Sequence, residues 1–171
     1  MVDQLLLYFD GRCAGLGTPG ALATYGWLIQ HAGGEEVVTT GKGIASRGEE
    51  ATANVGEYVA LIAGLQALLD LADAQAVEVR GDSQLVVRQM TGQYGCYAPN
   101  LVPLHEQARA LARHLLAKGC TVTFRWIPRA ENAEADELSK RAYAEARAEA
   151  DASGDVYAGG GDPVATPIAL E

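Results

Sequence analysis

Basic side chains are in short supply in this chain of 171 residues, where 13 Lys and Arg stand against 22 Asp and Glu for a net charge of −9. A phosphate-binding surface ordinarily carries the opposite sign, so the deficit argues against tight non-specific binding of nucleic acid. It does not exclude a nucleic-acid substrate, because the charge is unevenly spread. Residues 131–171 hold ten acidic and three basic side chains, whereas residues 1–130 hold twelve and ten. Cysteine is scarce too: Cys13, Cys96 and Cys120 are odd in number and far apart, which excludes a disulfide framework and a CxxC metal site. The three histidines, His31, His105 and His114, have no ligand spacing, so a zinc centre is not expected. No apolar run approaches the roughly 18 residues of a membrane span, and the opening Met-Val-Asp-Gln lacks the basic lead-in of a signal peptide. The expected location is the cytoplasm. No glycine-rich loop has P-loop or dinucleotide spacing, and there is no internal repeat.

What is present reads as a single α/β domain. With 49% hydrophobic and 20% charged residues the composition is that of an ordinary globular chain. Residues 5–9 form a short apolar strand, ended by Asp10-Gly11 and a glycine-rich loop through Gly20. Residues 24–31 and 36–44 read as a hairpin across Gly33-Gly34. From Asn54 onward, Tyr58, Leu61, Ile62, Leu65, Leu68 and Leu69 recur with helical period. A strand over 77–80, a short helix over 83–90, a striped helix over 98–117, a strand over 120–127 and a final helix over 132–150 follow. Antiparallel strands first and β-α alternation later imply a mixed five-stranded sheet with helices on its faces. The expected catalytic domain is residues 1–150, and residues 151–171, with Gly159-Gly160-Gly161 and two prolines, form a Gly-rich acidic tail.

Four acidic residues sit in short motifs: Asp10 in Tyr-Phe-Asp-Gly, Glu57 in Asn54-x-x-Glu57-Tyr58, Asp82 in Gly-Asp-Ser-Gln, and Asp136 in Asn132-x-x-Ala135-Asp136. Each has an ordinary structural explanation. Asp10 before Gly11 suits a turn, Asn54 with Glu57 suits a capping box, and Asp82 and Asp136 suit helix N-termini. Their joint placement, two at strand ends and two at helix starts, favours convergence at one sheet edge. Converging carboxylates repel one another, and divalent cations relieve that repulsion. A two-metal phosphodiesterase centre is the chemistry this implies.

These motifs, together with Thr52-x-Asn54, Asp82-Ser83-Gln84-Leu85-Val86-Val87-x-Gln89 and Trp126-Ile127-Pro128-Arg129, resemble the type 1 ribonucleases H over residues 4–145, in the archaeal and bacterial form without a basic handle. The resemblance implies a ribonuclease H-like fold with sheet order 3-2-1-4-5. It implies endonucleolytic cleavage of the RNA strand of an RNA–DNA hybrid, leaving 5′-phosphate and 3′-hydroxyl ends. By the same similarity Asp10 bridges two Mg²⁺ or Mn²⁺ ions, Glu57 and Asp82 complete one site and Asp136 serves the other. Gly11, Arg12, Cys13, Asn54 and Gln84 would touch the RNA strand, and Thr52 a DNA-strand phosphate. Relatives often carry a histidine between the last strand and last helix. Here Arg129 occupies that interval and is the candidate for holding a phosphate or aiding product departure. No obligate protein partner is evident. A non-catalytic hybrid-binding module and a nuclease of the same fold acting on RNA duplexes are the alternatives.

Overall fold

The apolar run that begins at Leu5 becomes the central strand of a sheet. In the computed structural model, which describes residues 4–34, 36–71 and 75–153, the strands are β1 (Gln4–Ala14), β2 (Leu22–His31), β3 (Val37–Arg47), β4 (Ala76–Gly81) and β5 (Thr121–Trp126). Their spatial order is β3-β2-β1-β4-β5, as the resemblance implied. β1, β2 and β3 form an antiparallel meander, while β4 runs parallel to β1 and β5 parallel to β4. The helices are α1 (Ala53–Asp70), α2 (Gln84–Met90), α3 (Val102–Ala117) and α4 (Ala133–Ser153), the last entered through a 3-10 turn at Arg129–Asn132.

Successive strand residues point to opposite faces, so Leu5, Leu7 and Phe9 of β1 share one face. There they join Val77 and Val79 of β4 and Tyr58, Leu61, Leu65 and Leu68 of α1 in the main core, completed by Val86, Leu104 and Leu115. Full burial of each large apolar side chain contributes about 1.5–3 kcal/mol. The opposite face of β2 and β3 is covered by α4, whose inward stripe is Ala135, Ser139, Ala142, Ala146 and Ala150. Small side chains let that helix come very close. A Cβ on Gly26 would lie 2.5 Å from Leu138 Cβ and 2.7 Å from the Ser139 amide nitrogen. On the other face, a Cβ on Gly11 would lie 2.1 Å from the backbone of Gly56 and Glu57. Two glycines on neighbouring strands thus allow α1 and α4 to clamp the sheet from both sides at the level of Asp10, which pairs with Gly26.

Several boundaries differ from the sequence reading, among them β3, which runs to Arg47 rather than residue 44. β1 does not stop at Phe9 but continues to Ala14, because β2 starts at Leu22 and pairs along the whole extension. Asp10 is therefore inside a strand, not at its end. The striped helix starts at Val102 rather than residue 98. Residues 98–101 form a tighter turn, with the Leu101 and Val102 amides both donating to the Ala98 carbonyl, and Pro103 occupies the first helical turn where its missing N–H costs nothing. The last helix runs to Ser153, past the expected boundary at 150, and residues 154–171 of the expected tail lie outside the described residues.

The Gly26 contact gives a direct test of the clamp. Gly26→Ala must push α4 outward against backbone as well as side-chain atoms, so chemical denaturation should show a loss of roughly 1–3 kcal/mol, the usual range for overpacking.

Candidate active site

The site forms where β4 leaves the sheet. β1 and β4 stay in register up to Phe9 opposite Gly81, after which β4 ends and β1 continues. Asp10 and Asp82 are the next residues on each chain, and parallel in-register strands about 4.8 Å apart deliver them side by side. The segment after Gly81 is held by β5: the Ile127 amide donates to the Gly81 carbonyl at 2.9 Å, and the Trp126 indole N–H donates to the Asp82 carbonyl at 3.1 Å. Trp126 itself is 43% exposed, a rim residue rather than a core one. Asn132, fully buried in the 3-10 turn, donates from Nδ2 to the Phe9 carbonyl at 2.9 Å and so ties β1 to the start of α4.

Glu57 arrives from the other side of the sheet. Its helix is capped by Thr52, whose hydroxyl accepts from the Val55 amide at 3.1 Å. The Asn54–Glu57 capping box expected from the sequence is not the device used, since Asn54 lies within the first turn. Glu57 sits one turn further in, 7% exposed, and its Oε2 has no hydrogen-bond partner. The tight Gly11–Gly56 approach brings it down onto β1. Its neighbour Tyr58 is fully buried and donates to Gln89 Oε1 of α2, which links the helices bearing Glu57 and following Asp82. Likewise Ser83, not Asp82, caps α2 by accepting from the Val86 amide at 3.2 Å. Both caps thus leave a carboxylate unclaimed.

Asp10, Glu57 and Asp82 each bring a carboxylate oxygen within 4.8 Å of the others. Asp136 stands apart from this trio. Its Oδ2 is 2.7 Å from Lys140 Nζ and its Oδ1 is 3.5 Å from Arg129 Nη2. The electrostatics divide the same way. Burial pushes Asp10 from 3.8 up to about 6, and the charges of Asp82 and Asp136 add to it, against the Ser139 hydrogen bond and Arg129. Glu57 is raised well above its ordinary value by burial and then by Asp10 and Asp82. Asp82 is raised by burial, with Arg129 opposing. Burial would raise Asp136 as well, but Lys140 and Arg129 overcome it and hold the carboxyl below the ordinary range. Three crowded oxygens, one lacking any partner, fit a hard divalent cation that takes only oxygen ligands.

Comparison with known proteins agrees with this geometry. A family model described as reverse transcriptase-like matches residues 10–142. The ribonuclease HI of Halobacterium salinarum is 39% identical over 139 residues, covering 81% of this chain and 64% of that protein. The N-terminal RNase H domain of Rv2228c from Mycobacterium tuberculosis superposes with a TM-score of 0.75 at 36% identity, covering 86% of this chain and 99% of the domain. This chain belongs to the type 1 ribonuclease H family. A third relative, LC11-RNase H1 isolated from compost, was solved in complex with an RNA/DNA hybrid. It has a TM-score of 0.70 at 34% identity, covering 83% of this chain and 98% of that one. The chain spans about two-thirds of the length of the halobacterial protein and 36% of the full-length bifunctional mycobacterial one.

Within this family frame the substrate-contact candidates fall into two groups. Asn54 and Gln84 flank Glu57 and Asp82 in the chain, and Gln84 is exposed at the start of α2. Residues 11–14 extend β1 where it has no partner on the β4 side. Within that stretch the Arg12 guanidinium lies over the Tyr143 ring at 5.9 Å, and the Cys13 thiol donates to the Ala51 carbonyl at 3.3 Å. The Thr52 hydroxyl accepts its cap bond and retains its own proton for donation. Two residues that the motif reading leaves without a role belong to the site's frame: Lys140, one turn past Asp136, and Ser139, whose hydroxyl donates to Asp10 Oδ2 at 2.7 Å. An i to i+4 spacing from Asp136 would have signalled the lysine. Nothing local signals the serine's partner.

The raised Asp10 value makes stability depend on pH. A carboxyl whose folded value lies above its unfolded value stabilises fully below the unfolded one, near pH 3.8, and loses that contribution as pH rises through about 6. Asp10→Asn removes the charge while keeping an acceptor for Ser139. In metal-free buffer it should be more stable than wild type by roughly 3 kcal/mol at pH 8, on the scale of 1.36 kcal/mol per unit, and the difference should shrink towards zero near pH 4. Denaturant titration at both pH values checks this.

Proposed function

We propose that this chain is an endonuclease that hydrolyses the RNA strand of RNA–DNA hybrids. The observation that carries the reading is the trio of buried Asp10, buried Glu57 and half-buried Asp82, with a carboxylate oxygen of each within 4.8 Å of the others at the point where β4 leaves β1 and with Glu57 Oε2 unpartnered. The relative solved with an RNA/DNA hybrid supports the substrate class. On this reading Asp10, Glu57 and Asp82 hold one Mg²⁺ or Mn²⁺, and Asp10 with Asp136 holds a second. When bound, such cations acidify the attacking water and stabilise charge on the leaving oxygen, so that cleavage leaves 5′-phosphate and 3′-hydroxyl ends.

The chain's own residues orient the substrate. Only the RNA strand offers 2′-hydroxyls, which donate and accept, and these suit the amides of Asn54 and Gln84 and the exposed edge at Gly11, Arg12 and Cys13. The Thr52 hydroxyl, which accepts from the Val55 amide, keeps a proton to donate to a DNA-strand phosphate. Arg129 is 75% exposed at the mouth of the site and presents a guanidinium fork matched to phosphate. The catalytic domain on this reading extends through the end of α4 at Ser153, past the boundary at 150 expected from the sequence. A cytoplasmic site of action belongs to the same proposal, and among the described residues no helix is long and apolar enough to cross a membrane.

Matched RNA–DNA, RNA–RNA and DNA–DNA duplexes, each with Mg²⁺ and with Mn²⁺, form the deciding assay. Cleavage of the RNA strand in the hybrid, lost on the order of a hundredfold or more in Asp82→Asn, is the expected result, since the cations supply several kcal/mol to the transition state. Preference for the RNA duplex would redirect the proposal to a same-fold nuclease, and binding without cleavage would redirect it to a binding module.

Arg129 is tested separately. Loss of a charge-assisted phosphate contact corresponds to roughly a tenfold to hundredfold effect, so Arg129→Ala should lower turnover by that amount while cation affinity measured by calorimetry changes little. Arg129→Lys should recover little of it if the forked geometry matters. Unchanged steady-state kinetics would reduce Arg129 to a loop residue.

A further inference from the structure

The inward stripe of α4 is alanine at 135, 142, 146 and 150 and serine only at 139. Serine is the poorer helix former, and a fully buried hydroxyl needs partners that alanine would not. Ser139 Oγ has one proton and two acceptors in reach, the Asp136 carbonyl at 2.8 Å and Asp10 Oδ2 at 2.7 Å. Bonding back to the carbonyl one turn earlier is a general habit of helical serine. The contact with Asp10, 129 residues away, is not.

The serine backbone has little freedom to leave. Its carbonyl accepts from Thr24 Oγ1 of β2 at 2.8 Å, and its amide lies against Gly26, the residue paired with Asp10. The last torsion of an aspartate side chain is soft and broad, so packing alone fixes the carboxylate plane poorly. A hydroxyl held in place by its helix and two strand contacts does fix it. We propose that Ser139 is a positioning residue for the cation site, locking the carboxylate plane of Asp10 so that its remaining lone pairs face Glu57 and Asp82. The role rests on the nuclease reading only in supposing that the trio takes a divalent cation.

Ser139→Ala removes the hydroxyl and keeps a good helix former, so the full chain should fold with a melting temperature close to that of wild type. Titration calorimetry with Mn²⁺ alone should show affinity weakened by about tenfold or more, the usual effect of losing a hydrogen bond to a metal ligand. On the hybrid, kcat should fall while KM stays near the wild-type value. Mn²⁺ affinity within twofold of wild type, a loss of affinity matched by a marked drop in melting temperature, or no Mn²⁺ binding by either protein would overturn the assignment. A wild-type chain that binds Mn²⁺ yet cleaves no hybrid would sink the nuclease reading instead, and the two Mn²⁺ affinities would still decide the role of Ser139.

Discussion

Like charges do not stay together unless something rigid holds them, and the crowding of Asp10, Glu57 and Asp82 is the constraint around which this fold is arranged. One carboxylate lies inside β1, one arrives from α1 and one follows β4, so no single element can relax the repulsion by itself. The contacts that prevent relaxation are backbone contacts. Gly11 lets α1 rest on β1, and Gly26 lets α4 rest on β2 beside Asp10. Burial raises all three carboxyls chiefly by desolvating their charged forms, and neighbouring carboxylates add to it: Asp82 and Asp136 at Asp10, Asp10 and Asp82 at Glu57, and Asp136 at Asp82. A site poised in this way is stabilised by a bound cation and is a source of strain without one, the usual tension between stability and activity.

Asp136 shows what the same residue type does with compensation at hand. It is more accessible, and Lys140 and Arg129 already balance its charge. The uncompensated charge is therefore concentrated at the trio. A cation approaching the trio meets three crowded carboxyls that Arg129 offsets only in part, whereas one approaching Asp136 competes with an ammonium at 2.7 Å. The two halves of the proposed site thus start from different electrostatic states, and Lys140 is the residue that makes them differ.

Much of this was legible in the sequence, and the exceptions share a cause. The period of Tyr58, Leu61, Leu65 and Leu68 reports α1 because that helix buries one face against a continuous core. Three of the four acidic motifs supply the carboxyls that converge, Asp10 from within β1, Glu57 from the second turn of α1 and Asp82 just after β4. Asp10 reads as a strand end because local pattern cannot see that β2 pairs as far as Ala14. Asn54 reads as the cap as readily as Thr52 because both residue types cap helices, and only the backbone path chooses between them. Ser139 and Gly26 owe their importance to the distance between α4 and the sheet. That distance is set by a whole stripe of alanines and appears in no window of neighbouring residues. The signal for it was the stripe itself, with one polar residue in an otherwise apolar row.

The scarcity of basic residues across the chain has a physical consequence at the site. Two of the cations near the site are engaged with the protein: Lys140 with Asp136, and Arg12 over Tyr143. Arg129 touches Asp136 yet stays three-quarters exposed, the cation best placed to reach outward. On the nuclease reading, a chain of net charge −9 repels its polyanionic substrate at long range, and beyond about 8 Å that repulsion is largely screened at physiological salt. On the same reading, recognition would act at contact, through hydroxyl and amide hydrogen bonds and through any cations held by the trio. Because the salt dependence of binding grows with the number of phosphates neutralised by Lys and Arg, a surface that neutralises few of them exchanges raw affinity for a grip that changes little with ionic strength.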